Sequence, residues 1–176
     1  MTDEERFSAL YRRYYPDVMR FVARRTEQDG ARDIVSETFL TAWRRFKDLP
    51  EDPEQVLPWL YRTAGNTLAN EQRSLRRRLR LGVRVARTAR VTEADPAGSL
   101  VETMRVREAL RGLSKRDRET LQLIAWDGLD IAAAATVAGC SPKTFTVRLL
   151  RARQRLDRAL GSQADEKYLE AEGAHS

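Results

Sequence analysis

The sequence predicts an all-α protein of two small helical domains joined by a flexible linker. Three observations carry that prediction. Apolar residues recur at spacings of three and four in successive segments, as on one face of a helix. The stretch Thr92-Glu-Ala-Asp-Pro-Ala-Gly-Ser99 breaks the pattern with small, turn-forming residues. Leu129 to Leu156 reads as two helices joined by one tight turn. Domains are therefore expected at 1–78 and 104–160, with a connection over 79–103 that is first basic and then flexible. A polar tail over 161–176 is expected to be disordered, apart from a helical turn around Tyr168.

In order along the chain, Thr2-Asp-Glu-Glu5 has the form of a capping box, which starts a helix. Phe7, Leu10, Tyr11 and Tyr14 form its apolar stripe, and Val18, Met19, Phe21 and Val22 continue the buried face. Between them Pro16 predicts a bend or restart. Gln28-Asp-Gly30 predicts an interruption before the next helix, Ala31 to about Phe46. Val35, Phe39, Ala42, Trp43 and Phe46 make its packing stripe, while Asp33, Glu37 and Arg44 occupy a different side. At i and i+4, the carboxylates of Asp33 and Glu37 project together and repel mildly unless a cation answers them. On spacing alone, a solvated face is their simpler reading.

Pro50, Pro53 and Pro58 predict a loop over Leu49 to Pro58. Beyond it Leu60, Ala64 and Leu68 give a helix its apolar side, and Trp59, Arg62, Asn66 and Asn70 share a contrasting stripe. Asparagines there can hydrogen-bond bases and a tryptophan can stack, although a tryptophan at a helix start is more often core. Arg73 to Arg90 holds eight arginines and no acid, which suits either phosphate neutralisation or a solvated helix end running into a linker.

Val106, Ala109, Leu110 and Leu113 open the second domain, and Leu121 to Trp126 supplies its central apolar helix. The alanine-rich segment Asp130 to Val137 lets two helices cross closely at a steep angle. Gly139-Cys140 makes the turn, because glycine takes positive φ without steric cost, and Ser141-Pro142 restarts the chain as a capped helix. On that helix Phe145, Leu149, Ala152 and Leu156 fall on one side, and Lys143, Thr146, Val147, Leu150, Arg151 and Gln154 on the other. This is helix-turn-helix logic, in which the second helix enters the DNA major groove. Its rival is an ordinary helical hairpin with a basic solvated face.

A formal charge of +6 over 176 residues favours an anionic partner. No apolar run approaches the roughly 18 residues of a membrane span, and the acidic start is unlike a signal peptide, so a cytoplasmic protein is expected. The one cysteine, Cys140, has no internal disulfide partner and reads as a turn or core residue. With one histidine, His175, there is no metal cluster to expect. A glycine-rich phosphate loop is missing, and the Asp33 and Glu37 pair has no nucleophile beside it. Neither catalysis nor a cofactor is expected.

Taken together, the segments resemble the bacterial sigma-70 family, and within it the extracytoplasmic-function sigma factors, which have only sigma regions 2 and 4. Asp33-Ile-Val-Ser-Glu-Thr-Phe-Leu-Thr-Ala-Trp43 looks like the family's acidic and aromatic helix, and Trp59-Leu-Tyr-Arg-Thr-Ala-Gly-Asn66 like its promoter-melting helix. Leu113-Ser-Lys-Arg-Asp-Arg-Glu119 with Thr144 to Arg153 looks like its C-terminal domain. The resemblance covers about 5–78 and 104–158. It implies a region 2 bundle, a region 4 helix-turn-helix, and partners in promoter DNA and in core RNA polymerase, through the clamp helices of the largest subunit and the flap. An anti-sigma protein is a further candidate partner. By motif position, Asp33 and Glu37 dock on the clamp helices, which displaces the solvated-face reading. Trp59, Arg62, Asn66, Asn70 and Arg73 face the −10 element, beside a specificity loop at Lys47 to Val56 that captures a flipped base. Flipping exposes the base's hydrogen-bonding edge at a cost of a few kcal/mol. Lys143, Thr144, Thr146, Val147, Arg148 and Arg151 face the −35 element. The linker, in the family, threads toward the polymerase active centre and RNA exit path.

Departures from the family pattern matter for specificity. Thr63 and Gly65 stand where a large aliphatic and a basic residue are usual. Ala132 to Ala135 replaces a stretch that normally carries a glutamate, and Thr146-Val147 replaces a basic residue followed by serine. The promoter sequence therefore does not transfer from relatives. Val147 has a side chain suited to a thymine methyl, or it misses the groove. Three rival classes fit less well. A response-regulator type of helix-turn-helix protein needs a receiver or ligand domain in front, and 5–78 has no alternating strand and helix pattern. A sigma-like decoy for an anti-sigma protein would lose the basic face that the arginines keep. An enzyme would need the missing catalytic groups.

Overall fold

The computed structural model describes residues 2–26, 28–80 and 100–173, without side chains at 28–29, 78–80, 100–103 and 162–173. Every regular element among them is helical: α1 (Asp3–Ala23), α2 (Gln28–Arg44), a 3₁₀ turn (Phe46–Asp48), α3 (Pro53–Arg80), α4 (Leu100–Gly112), α5 (Lys115–Ala125), α6 (Ile131–Ala138) and α7 (Pro142–Gly173). They divide between two units, residues 1–92 and 93–176. The expected connection at Thr92 to Ser99 lies outside the described residues, as do Arg84, Arg87, Arg90 and His175.

In the first unit the expected capping box is present. The Glu5 N–H donates to Thr2 Oγ1 at 3.2 Å, and the Glu5 carboxylate accepts from the Thr2 N–H at 2.8 Å. Val18, Phe21 and Val22 of α1 pack with Ile34, Val35, Phe39 and Ala42 of α2 and with Val56, Leu60, Tyr61, Ala64 and Leu68 of α3. The Phe21 and Tyr61 rings stack at 4.3 Å, and the Arg25 guanidinium lies 3.6 Å above Phe21. Thr38 is fully buried yet satisfied, because its hydroxyl donates to the Ile34 carbonyl at 2.7 Å. Trp43 and Phe46 sit at the rim with Phe7, at ring separations of 5.0 and 6.0 Å from it.

Helix breakers break less than the sequence suggests. α1 runs through Pro16 without a restart; Pro16 is exposed, so water can take the carbonyl that its missing N–H leaves free. Gln28, Asp29 and Gly30 form the first turn of α2 rather than an interruption, and α2 ends at Arg44 with its continuation tightened into the 3₁₀ turn. The expected loop over Leu49 to Pro58 shrinks to Leu49–Asp52. Asp52 caps α3, accepting from the Glu54 N–H at 3.0 Å, and Pro53 takes the first helical position, where no donor is needed. Pro58 lies inside α3 and is buried, so packing offsets its lost backbone bond.

In the second unit α7 packs on α4, α5 and α6. Ala109, Leu110, Leu113, Leu121, Leu123, Ala134, Ala135, Phe145, Leu149 and Ala152 are buried. The alanines of α6 have no bulk to hold α7 away, as the alanine run predicts. Arg118 of α5 donates to the Leu110 and Arg111 carbonyls, both at 3.3 Å, satisfying the end of α4. Asp130 caps α6 through the Ala133 N–H at 2.7 Å. Gly139 closes α6 at φ 66°, a left-handed conformation that lets the Cys140 N–H reach the Ala135 carbonyl at 3.0 Å. Ser141 then caps α7, accepting from the Thr144 N–H at 3.2 Å. α7 passes through Gly161-Ser162 to Gly173, helical where the sequence reading places a polar tail from 161. A lone helical glycine costs only about 0.8–1.0 kcal/mol, and Ala159, Leu160, Gln163 and Ala164 around it favour the helix. Likewise, residues 79–80 extend α3 and 100–103 begin α4, so each helix reaches into the expected linker.

Two stability outcomes follow from this packing. Phe145 is fully buried, and Phe145→Ala should destabilise the second unit by about 3–5 kcal/mol in urea denaturation. Gly65 is helical and an added Cβ would meet nothing within 4 Å. Gly65→Ala should therefore stabilise the first unit by up to about 1 kcal/mol, read as a higher urea midpoint at unchanged slope.

Candidate nucleic-acid and protein interfaces

The outward side of α2 carries Asp33 and Glu37, both exposed. Glu37 meets Arg44 at 3.8 Å, a surface pair of small energetic weight. Leu40, 42% exposed, falls in the same row three residues after Glu37. Two carboxylates, one of them paired with Arg44, beside one exposed aliphatic side chain suit a cationic protein surface better than a polyanion.

On α3, Trp59, Arg62, Asn66, Asn70 and Arg73 follow at spacings of three and four and form one stripe, opposite buried Leu60, Ala64 and Leu68. Arg62, Asn66, Asn70 and Arg73 are exposed and Trp59 is half-buried, with the Arg45 guanidinium 5.9 Å from its ring. The indole is thus a buttress as much as a stacking surface. Asn70 Oδ1 accepts from Arg73 Nη2, and these two residues line a shallow concavity of about 530 Å³ with Arg76 and Arg77. The Asn66 and Asn70 amides can meet base edges, and the guanidinium groups of Arg62 before them and Arg73 after them can meet phosphates. At the other end the Tyr14 hydroxyl donates to the Pro53 carbonyl at 3.4 Å, tying α1 to the point where the loop enters α3. Of the expected specificity loop at 47–56, only Leu49–Asp52 is irregular, since Lys47 and Asp48 are in the 3₁₀ turn and 53–56 are helical.

On α7 the two expected faces separate. Phe145, Leu149 and Ala152 are buried, and Leu156 is half-buried; Lys143, Thr144, Thr146, Val147 and Arg151 are exposed. The hydroxyls of Thr144 and Thr146 are held by their own helix, the first against Ser141 Oγ at 2.9 Å and the second donating to the Pro142 carbonyl at 3.0 Å. Arg148 is half-buried, and its Nε is sequestered without a hydrogen-bond partner among the described residues. Lys143, Thr144, Val147, Arg148 and Arg151 line one side of a groove of about 450 Å³.

Three liners of that groove escape sequence reasoning: Arg116 and Asp117 of α5, and Arg155 of α7. Arg155 Nη1 donates to both Asp117 carboxylate oxygens, at 2.8 and 2.7 Å, across 38 positions of sequence. Ser114, the cap of α5, adds a hydroxyl donor to Asp117 at 2.8 Å. The serine three residues before an aspartate is a legible helix start. Nothing in the spacing joins Asp117 to Arg155. Among the described residues there is no group of three metal-ligating side chains, and no helix long and apolar enough to cross a membrane.

Comparison with known proteins gives the family. The family model for sigma-70 region 2 matches residues 10–78, and that for sigma-70, region 4 matches residues 103–156. The ECF RNA polymerase sigma factor SigC of Mycobacterium tuberculosis is 33% identical over 143 residues, covering 80% of this chain and 75% of SigC. The ECF RNA polymerase sigma factor BldN of Streptomyces coelicolor is 30% identical over 161 residues; the match takes in 88% of this chain but only 61% of BldN. Among solved structures, the sigma factor RpoE of Bartonella quintana, in complex with the anti-sigma factor NepR, superposes with a TM-score of 0.67. It is 26% identical, and the superposition covers 89% of this chain and 98% of RpoE.

Proposed function

Because the chain belongs to the sigma-70 family, in its extracytoplasmic-function group, we propose that it binds core RNA polymerase and directs promoter-specific transcription initiation. One observation carries this reading: the region 2 and region 4 matches fall, in order, on the two helical units that bear the polar faces of α3 and α7. In this reading Asp33 and Glu37 meet the clamp helices of the polymerase largest subunit, and the second unit sits by the flap. Trp59, Arg62, Asn66, Asn70 and Arg73 meet the −10 element, where unstacked bases offer their edges to the two amides. Lys143, Thr144, Thr146, Val147, Arg148 and Arg151 meet the −35 duplex, the cations holding phosphate and the N-terminal turns of α7 reaching bases.

The work proposed is binding, with covalent chemistry left to the polymerase, and it takes place in the cytoplasm where promoters are. RpoE of Bartonella quintana is held by an anti-sigma factor, and an anti-sigma protein is proposed here as a further partner. The acidic row on α2 supports this reading beyond the basic faces, because a free-standing helix-turn-helix regulator has no use for a cation-seeking surface on its other unit.

Run-off transcription with core polymerase and a promoter library tests the reading directly; initiation without a shared sequence pair upstream would defeat it. Asp33→Ala with Glu37→Ala should weaken core binding in a titrated pull-down while shifting stability by about 0.5 kcal/mol or less, as both side chains are exposed. Asn66→Ala should impair strand opening more than initial duplex binding. Permanganate footprints equal to those of the unaltered protein at every promoter would remove Asn66 from melting.

A further inference from the structure

We infer that Arg155 is a phosphate contact of the second unit's DNA face and that Asp117 positions it. This rests on the proposed DNA-binding reading. Asp117 is the one acid among the groove liners, beside Arg116, Lys143, Arg148, Arg151 and Arg155. Its side chain is only 10% exposed. A carboxylate there opposes an incoming phosphate, so its presence calls for a compensating role. The hydrogen bonds supply one. Both carboxylate oxygens accept from Arg155 Nη1, and the Ser114 hydroxyl donates to Oδ2. Asp117 is thereby a satisfied anchor on α5, fixed at the capped first turn of that helix.

Arg155, by contrast, is half used. A guanidinium carries five donors, and the bonds to Asp117 both come from Nη1, while its side chain is 50% exposed. Among the described residues Nε and Nη2 have no acceptor, which leaves them for a phosphate. Spacings of three and four place Arg148, Arg151 and Arg155 in one row along α7, so Arg155 extends the line of cations past the two expected from sequence. An arginine already tethered by one nitrogen loses less side-chain freedom on meeting a phosphate than a free one. Tying α5 to α7 is the alternative role, and it makes a different forecast.

The test uses the full chain assembled with core polymerase and a fluorescent promoter duplex recovered from the run-off library, with affinity measured across salt concentrations. Arg155→Gln should lower affinity similarly for unrelated upstream sequences and reduce the salt slope by about 0.9. A fourfold rise in salt then weakens this variant about 3.5-fold less than the unaltered protein. Arg155→Lys should keep the slope. Asp117→Asn, which preserves shape, should make the affinity loss from Arg155→Gln at least threefold smaller than it is with Asp117 present. If Arg155→Gln lowers the melting temperature but leaves slope and affinity unchanged, the pair is a structural tie and the inference is overturned. If the two substitutions act additively on affinity, the positioning role of Asp117 is overturned. Should the unaltered holoenzyme bind upstream duplex without salt dependence, the DNA-binding reading itself fails and the inference with it.

Discussion

A helix in a small bundle can bury only one stripe, and everything else about this molecule depends on that constraint. α3 sinks Leu60, Ala64 and Leu68 against α1 and α2, so the stripe through Arg62, Asn66 and Asn70 has to face outward. α7 sinks Phe145, Leu149 and Ala152, which turns Lys143, Val147 and Arg151 to solvent. The functional faces are therefore the geometric complements of the cores. Their side chains cannot rotate away as a set, because doing so would expose aromatic and aliphatic surface at about 25 cal/mol per Å².

The same constraint explains why prolines and glycines interrupt so little. Each unit is small, and small units bury a limited fraction of their surface. A helix broken at Pro16, Gly30 or Pro58 would forfeit part of that burial to relieve a single missing or strained bond. The chain instead places Pro16 where water reaches the backbone, uses Pro53 where no donor is required, and covers Pro58 with packing. Gly139 does end a helix, because its left-handed φ of 66° is what aims α7 across α6.

Charge is divided by helix as well. Carboxylates gather on the exposed row of α2, amides and arginines on α3, lysine and arginine on α7. A net positive chain with an acidic row can meet a protein and a nucleic acid at once, each attracted to its own surface and repelled from the other. Asp117 is the local exception, an acid inside a cationic groove, and its pairing with Arg155 and Ser114 converts a repulsive charge into a fixed point.

Most of the buried and outward-facing positions were legible in the sequence, because a period of 3.6 encodes a face without reference to any neighbour, although Tyr11 and Trp43 of the expected apolar stripes are exposed. The two sides of α7 needed nothing beyond that period, and the capping box at Thr2 and the turn at Gly139-Cys140 nothing beyond local capping and turn chemistry. So did the exposed row of Asp33 and Glu37, although only family resemblance gave it a partner. Tertiary structure decided the rest. Whether Pro16 or Gly30 breaks a helix depends on what a break would expose, and whether Trp59 stacks or buttresses depends on Arg45 arriving from another element. The Asp117 and Arg155 pair lies 38 residues apart, far beyond any helical period. It exists only because α5 and α7 pack with those two side chains at the same edge of one groove.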